Sequence, residues 1–312
     1  MEASAFHMLL RSDKEVGILI KNRKGEIVVT NEKQNNLLKK LYGTVRGRKI
    51  LKFLTQPFVS KIVGVFMDSG LSVFMIKRFI KSSGIDTSQY NMIKFRSYND
   101  FFTRTIKPEM RPIDYNENHL ISPCDSKLSV YKINKDSIFR IKDSYYRVAD
   151  LVTNEFLARR FINGWCMIFR LEVDDYHRYC YIDGGEKTNN FFIQGQLHTV
   201  NPIALRRYNI YKRNSREYTI MHTDNFGDVV QVEVGAMMVG RICNHHSEYR
   251  FNRGEEKGMF QFGGSTIVLI FEENSVVPDE DILANTASGY ETVVKYGEKI
   301  GKKMICQDFP NL

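Results

Sequence analysis

Long apolar runs are what this chain most clearly lacks. Nowhere in its 312 residues do about eighteen apolar positions follow one another, so no segment is expected to span a bilayer. Residues 1–13 do not show the basic-then-apolar layout of a secretory leader. The five cysteines, Cys124, Cys166, Cys180, Cys243 and Cys306, are scattered, odd in number and form no Cys-x-x-Cys pair. That argues against a disulfide framework and a structural zinc site, and for a reducing compartment. His245-His246 has no third ligand at metal-binding spacing, so the pair reads as loop residues and no metal is expected. There is no internal repeat and no low-complexity linker. The helix-turn-helix, zinc-finger and aromatic RNP signatures are missing too, which makes nucleic acid a poor partner.

Apolar residues make up 43% of the chain and charged residues 26%, a globular composition long enough for one large domain or two modest ones. The charge is uneven. Residues 1–110 carry 20 Lys and Arg against 9 Asp and Glu, a net of +11, whereas residues 111–312 carry 25 against 27, a net of −2. A basic first third suggests an anionic partner for that third. Within it, residues 17–20 and 26–30 flank Asn22-Arg23-Lys24-Gly25 as a hairpin, and Asn35 to Leu41 reads as a short helix. From Lys49 to Met67 an apolar stretch is interrupted by Lys49, Lys52 and Lys61, and Pro57 should kink or divide its helix. A second helix over Leu71 to Ile80 has Lys77, Arg78 and Lys81 near its C-terminal end, where the helix dipole favours cations. Lysines among apolar residues suit a helix lying in a membrane interface. Two helices packed on the protein's own core with a solvated basic face are the other reading, and the sequence leaves both open.

The middle of the chain supplies two carboxylates and a histidine. Ser97 to Ile106 reads as a short capped helix that stops before Pro108. Asp125 lies in the Ser122-Pro-Cys-Asp turn before a strand over Lys127 to Tyr131; an Asp there often serves only its own backbone. The apolar strand Trp165 to Leu171 runs into Glu172-Val-Asp-Asp-Tyr-His-Arg178. A histidine at the end of a buried strand beside aspartates is placed for general-base work; the plainer reading is a charged surface loop. Val230, Val232 and Val234 alternate with polar residues as a half-buried strand.

The stretch Met259-Phe-Gln-Phe-Gly-Gly-Ser-Thr266, followed by the β-branched run Ile267 to Phe271, joins two extended pieces through a flexible Gly-Gly hinge. Its four central residues most simply form a turn. A second reading is self-processing. The Ser265 hydroxyl attacks the Gly264 carbonyl, the resulting ester undergoes β-elimination, and the dehydroalanine hydrolyses to a pyruvoyl group at a new N-terminus. That attack needs a base and a group to orient it.

Taken together, Phe101-Phe-Thr-Arg-Thr-Ile-Lys-Pro-Glu-Met-Arg-Pro-Ile113, Ser122-Pro-Cys-Asp125, Asp175-Tyr-His-Arg178, Val200-Asn-Pro202, Asn214-Ser-Arg-Glu217, Phe226-Gly-Asp-Val229, Val234-Gly-Ala-Met-Met-Val-Gly240 and Gly258 to Thr266 resemble, in order, the phosphatidylserine decarboxylase family. The resemblance covers residues 50–305. It implies a proenzyme cut between Gly264 and Ser265 into a β chain, 1–264, and an α chain, 265–312, that remain together as a heterodimer. It also implies a processing triad of Asp125, His177 and Ser265, with Asp175 as a nearby acid able to share the orienting role. The cofactor would be the pyruvoyl group made from Ser265, with no metal and no diffusible cofactor. That group would form a Schiff base with phosphatidylserine, release carbon dioxide and leave phosphatidylethanolamine.

The expected architecture is α+β: a basic, mainly helical, membrane-facing region over 1–110 and a β-rich catalytic domain over 111–312. The expected location is the cytoplasmic face of the cell membrane, held peripherally on an anionic lipid surface. A non-catalytic lipid-binding protein of the same fold and a decarboxylase for a related serine lipid are the alternatives. Three positions depart from the family pattern. Ser126 stands where Gly usually follows the aspartate. Cys180 stands where a second histidine often follows. Gly263 stands where many members have Leu.

Overall fold

All seven residues of the strand Ser265–Phe271 are buried, which explains a run with no polar alternation: such a strand must be covered on both faces. It sits in the middle of the main sheet of the computed structural model, which describes residues 19–28, 40–141, 144–199, 210–236, 241–261, 263 and 265–305. Residues 1–18, residues 29 and 30 of the expected hairpin, most of the expected Asn35–Leu41 helix, Val200 to Pro202, 237–240, Phe262, Gly264 and Cys306 lie outside the described residues. From one edge, the sheet runs Tyr249–Phe251, Gly185–Lys187, Arg216–Thr223, Gly227–Val234, Ser265–Phe271, Trp165–Leu171, Ser126–Lys132, Glu291–Val294, Ile20–Lys21 and Ile27–Val28. A further short strand, Phe191–Ile193, pairs with Arg216–Thr223. Neighbours are antiparallel except Ile20–Lys21, which lies parallel to Glu291–Val294.

Successive side chains of a strand point to opposite faces. Val268 and Ile270 therefore join Ile168, Val230, Val232 and Val234 under the short helices Val148–Val152, Glu155–Arg159 and Ile210–Arg213. Ile267, Leu269 and Phe271 join Met167, Phe169, Leu171 and Val229 on the other face. That second face is covered by Tyr179, Cys180 and Phe260 from a three-stranded sheet of Ile242–Asn244, Glu256–Phe260 and Arg178–Cys180. Leu120, Val276 and Ile300, from the three-stranded sheet His119–Ile121, Lys299–Lys303 and Val276–Pro278, belong to the same cluster. Ser265 shares this face by alternation.

The N-terminal region is mainly helical, and the β-rich domain follows it, as the α+β expectation requires. Pro57 divides the Lys-laced stretch: Val45–Leu54 ends before it, and Pro57–Asp68 begins on it, where the missing N–H costs nothing. The next helix spans Phe74–Ser83 and stops at Gly84, whose φ of 70° is left-handed. Ser97 caps Tyr98–Phe102 by accepting from the Asp100 amide at 3.1 Å, so that helix ends four residues earlier than the sequence suggests. Met67, Ile76, Tyr98, Phe101 and Phe102 form a separate small core beneath these helices. The turn at Asn22–Gly25 closes the expected hairpin, whose strands extend the main sheet.

Candidate active site

Ser265 is fully buried, and its Oγ has no hydrogen-bond partner among the described residues. In the sheet register it lies opposite Leu171, the last residue of Trp165–Leu171. The chain leaving Leu171 reaches His177, whose carbonyl accepts the Phe260 amide at 2.9 Å. Phe260 ends the strand that precedes Ser265 in sequence. The connections 172–176 and 261–264 thus span the same gap between the two sheets. Ser265, beside Leu171, therefore lies on the main-sheet side of that gap, and His177, beside Phe260, on the small-sheet side. Gly263, in the second connection, has a φ of 137°, a backbone conformation that side-chain-bearing residues rarely adopt.

The His177 ring is fully buried, 4.2 Å centroid to centroid from Phe102. Its Nδ1 bonds the main-chain oxygen of Asp175 at 2.9 Å, and its Nε2 is buried without a partner. A carbonyl oxygen can only accept, so Nδ1 holds the proton and Nε2 the lone pair. Burial pushes the imidazole down to about 3, keeping it neutral at physiological pH.

Asp125 sits in the expected turn, but its carboxylate does not face its own backbone alone. It takes a two-point bond from Arg111 at 2.8 and 2.6 Å and accepts the Tyr296 amide at 2.9 Å. Burial alone would raise this carboxyl, but Arg111, Lys295 and the amide outweigh it and hold it below the ordinary range. The carboxylate of Asp175 is bound to Lys127 Nζ at 2.8 and 2.7 Å and accepts the Glu172 amide at 2.7 Å. Burial pushes its carboxyl up against the pull of Lys127. No carboxylate among the described residues bonds the His177 ring; Asp175 orients it through its backbone oxygen. Asp125 and Asp175 do share one small cavity of about 150 Å³, lined also by Tyr90, Arg111, Asp174 and Lys295.

Two more positions bear on the site. Cys180 is fully buried, its thiol pushed up to about 12 by burial, with Sγ 3.9 Å from the Ser122 carbonyl. A thiol so reluctant to ionise is no base, so His177 faces no rival there. Lys127 escaped the sequence reading. Burial would lower its ammonium, but Asp175 and Glu172 outweigh that and keep it charged. Its signal in the sequence is a lysine at the start of a strand-like run, two residues after Asp125.

The pattern of the phosphatidylserine decarboxylase family matches residues 98–302, the stretch that contains Asp125, Lys127, Asp175, His177, Cys180 and Ser265. The chain belongs to the phosphatidylserine decarboxylase family. It is 48% identical over 278 residues to phosphatidylserine decarboxylase proenzyme 2 of Clostridium acetobutylicum, covering 89% of this chain and 95% of that one. It is 43% identical over 268 residues to the phosphatidylserine decarboxylase proenzyme of Clostridium perfringens strain SM101, covering 84% and 91%. The proenzyme of Clostridium botulinum strain Kyoto is 42% identical with the same coverage. Family membership makes the chain a carboxy-lyase and a proenzyme by type, in agreement with the motifs read from its sequence.

Proposed function

We propose that this chain is a self-processing phosphatidylserine decarboxylase whose cofactor is a pyruvoyl group made from Ser265. The observation that carries the reading is a pair of buried atoms without partners among the described residues, one on each side of a single gap: Ser265 Oγ, which has a proton to give, and His177 Nε2, which has a lone pair to take it. Buried polar atoms without partners are uncommon and call for an explanation. In processing, His177 accepts the Ser265 hydroxyl proton as Oγ attacks the Gly264 carbonyl and the Gly264–Ser265 amide becomes an ester. Loss of the residue-265 α-proton then breaks the Cβ–Oγ bond by elimination. This frees residues 1–264 as a carboxylate, and water replaces the amine of the dehydroalanine as ammonia leaves. Asp175 with Lys127 holds the 172–176 connection that leads to the histidine, and Asp125 with Arg111 holds the turn beside it. We assign Asp125 and Asp175 to positioning.

Once formed, the pyruvoyl group supplies an electron sink that stabilises negative charge where carbon dioxide departs. The residues around it bury the site, exclude water and present one neutral imidazole, His177, which carries the proton back to carbon after decarboxylation. The α and β chains stay together because Ser265–Phe271 is paired on both sides, to Gly227–Val234 and Trp165–Leu171.

A lipid substrate requires an approach to a bilayer. None of the described helices is long and apolar enough to cross one. Exposed Ile62, Val65, Leu71 and Phe74, at 66%, 73%, 74% and 72% of their free area, stand instead on the N-terminal helices beside Lys77 and Arg78. We assign residues 1–110 to peripheral contact with an anionic membrane, at the cytoplasmic face, and 111–312 to catalysis. Intact mass of the purified protein tests the central claim. Two polypeptides, 1–264 and 265–312, are expected under denaturing conditions, the smaller refractory to Edman degradation. A single chain in preparations that decarboxylate phosphatidylserine refutes it. A single chain with no activity supports the non-catalytic lipid-binding alternative.

A further inference from the structure

Arg104 is a buried cation whose charge nothing else in the site uses. Its side chain is 2% exposed, and among the described residues no carboxylate lies within ion-pair distance of it. Two other arginines are as buried, and both are saturated. Arg170 is bound by Glu291 and Glu172, and Arg216 makes four bonds of 2.7 to 3.1 Å to main-chain oxygens. Among the described residues Arg104 has two long bonds, to the carbonyls of Phe102 at 3.5 Å and Asp174 at 3.4 Å, and a side-chain contact with the Tyr90 hydroxyl, while its Nε has no partner. Its guanidinium carbon lies 4.2 Å from the Tyr90 ring centre and 5.0 Å from that of Phe101. Aromatic faces partly offset the loss of water around a cation, but they leave its N–H donors unsatisfied.

The place is informative. Phe102, whose carbonyl one nitrogen touches, packs its ring against His177; Asp174, whose carbonyl the other touches, lies in the 172–176 connection. Tyr90 lines the cavity that also holds Lys295 and ends at Gly84, the C-terminus of the helix that begins with exposed Phe74. The guanidinium therefore stands between the histidine and a small polar cavity whose rim leads to the lipid-facing helix.

We propose that Arg104 is the anion receptor of the site and that the anion is the phosphodiester of the lipid headgroup. The proposal rests on the decarboxylase reading above. Arginine's fork matches phosphate oxygens, and a bound phosphodiester replaces two weak carbonyl contacts with charge-assisted ones. The serine carboxylate is the other anion of the headgroup, but it departs as neutral carbon dioxide. Pairing it with arginine would hold the ground state and slow the reaction, whereas the phosphodiester is unchanged from substrate to product. Contact with the phosphodiester is uniform binding, which lowers KM and leaves kcat alone.

The test uses full-length, self-processed protein with cleavage scored by mass, and phosphatidylserine in neutral-lipid vesicles. Arg104→Met should cleave normally, keep kcat within about threefold and raise KM at least about tenfold. Inhibition by the product phosphatidylethanolamine, which keeps the phosphodiester but has lost the carboxylate, should weaken by a similar factor. Arg104→Lys should recover part of both. Unchanged KM overturns the proposal, and so does a raised KM with unchanged product inhibition, which assigns Arg104 to the carboxylate. Should Arg104→Met not fold, the wild-type protein still decides. Calorimetry should show glycerophosphoethanolamine binding at least about tenfold tighter than ethanolamine, and equal affinities refute the proposal. Binding of glycerophosphoethanolamine by a wild-type protein that decarboxylates nothing would retain the receptor and discard the enzyme reading.

Discussion

The Nδ1–H of His177 donates to the main-chain oxygen of Asp175 across 2.9 Å, and this bond fixes what the ring can do. The tautomer no longer depends on a carboxylate, so neither aspartate has to titrate for the histidine to remain a base. Burial against Phe102 does the rest, since a ring with no water near it resists taking a second proton.

A pH profile follows. A free imidazole loses its basic form as pH falls through 6.5, but here burial lowers the midpoint to about 3. The lone pair of Nε2 is thus available throughout the range from about pH 5 to pH 8. The rate of self-cleavage, followed by mass after release from an inclusion-body or cell-free preparation, should show no inflection near 6.5. A clear fall below 6.5 would mean that the working base is more exposed than His177. His177→Ala should accumulate uncut chain at every pH.

Lys127 should matter to cleavage without touching Ser265. It clamps Asp175, whose amide and carboxylate both bond Glu172 and so define the turn that presents His177. Lys127→Met leaves Asp175 buried without its counter-charge, and the turn should shift. A displacement of about 1 Å can cost on the order of a hundredfold in rate, so cleavage should slow by about ten- to a hundredfold. The double change Lys127→Met with Asp175→Asn removes both charges and keeps an acceptor for the Glu172 amide. It should recover most of the rate. Failure of that recovery, in a protein of normal thermal stability, would mean that the lysine itself moves a proton.

Much of this was legible before any coordinates. The apolar strand from Ser265, the turn that holds Asp125 and the strand that leads to His177 are legible because turn chemistry and buried-strand composition are local signals. The pairing of Arg111 with Asp125, and of Lys127 with Asp175, was not, since each joins residues 14 and 48 positions apart through the sheet register. The same limit made an orienting carboxylate the natural expectation for His177, when the bond comes from a main-chain oxygen that no residue type announces. The hairpin at Asn22–Gly25 was found by its turn, but not its docking on Glu291–Val294, which is set by packing. The helix after Ser97 was overextended because its cap is a local signal and its end is imposed by Arg104 turning inward.

The N-terminal helices should bind vesicles through both apolar and basic residues. Replacing exposed Leu71 and Phe74 together by Ser should weaken binding by about tenfold or more, since two large side chains are lost from the interface. Replacing Lys77 and Arg78 by Gln should weaken binding only to anionic vesicles. That loss should shrink as salt rises, because each basic residue near such a surface contributes about 1 kcal/mol, screened over roughly 8 Å at physiological ionic strength. Sedimentation with vesicles of graded anionic content measures both. Salt-independent binding would leave insertion of apolar residues as the whole contact; unchanged binding in both variants would assign these helices to packing alone.

Lys257 and Glu233 form an ion pair that is wholly inside the protein. Lys257 Nζ bonds Glu233 Oε1 at 2.6 Å and Asn244 Oδ1 at 2.8 Å, and Gln231 Nε2 bonds the same glutamate oxygen at 2.9 Å. Glu233 lies opposite Ile267, so by alternation it shares the face of Ser265 one diagonal step away. Two buried charges recover little more than their desolvation costs, but one left alone is expensive. Lys257→Met should therefore lose about 3–5 kcal/mol of stability to chemical denaturation. Glu233→Gln in that background removes the stranded carboxylate while keeping the Gln231 contact, and should return most of the loss. Cleavage should return with it, because the pair's effect on Ser265 is to hold two sheets in register. A double variant as stable as wild type that still fails to cleave would contradict this, and would bring the Glu233 carboxylate into the chemistry at residue 265.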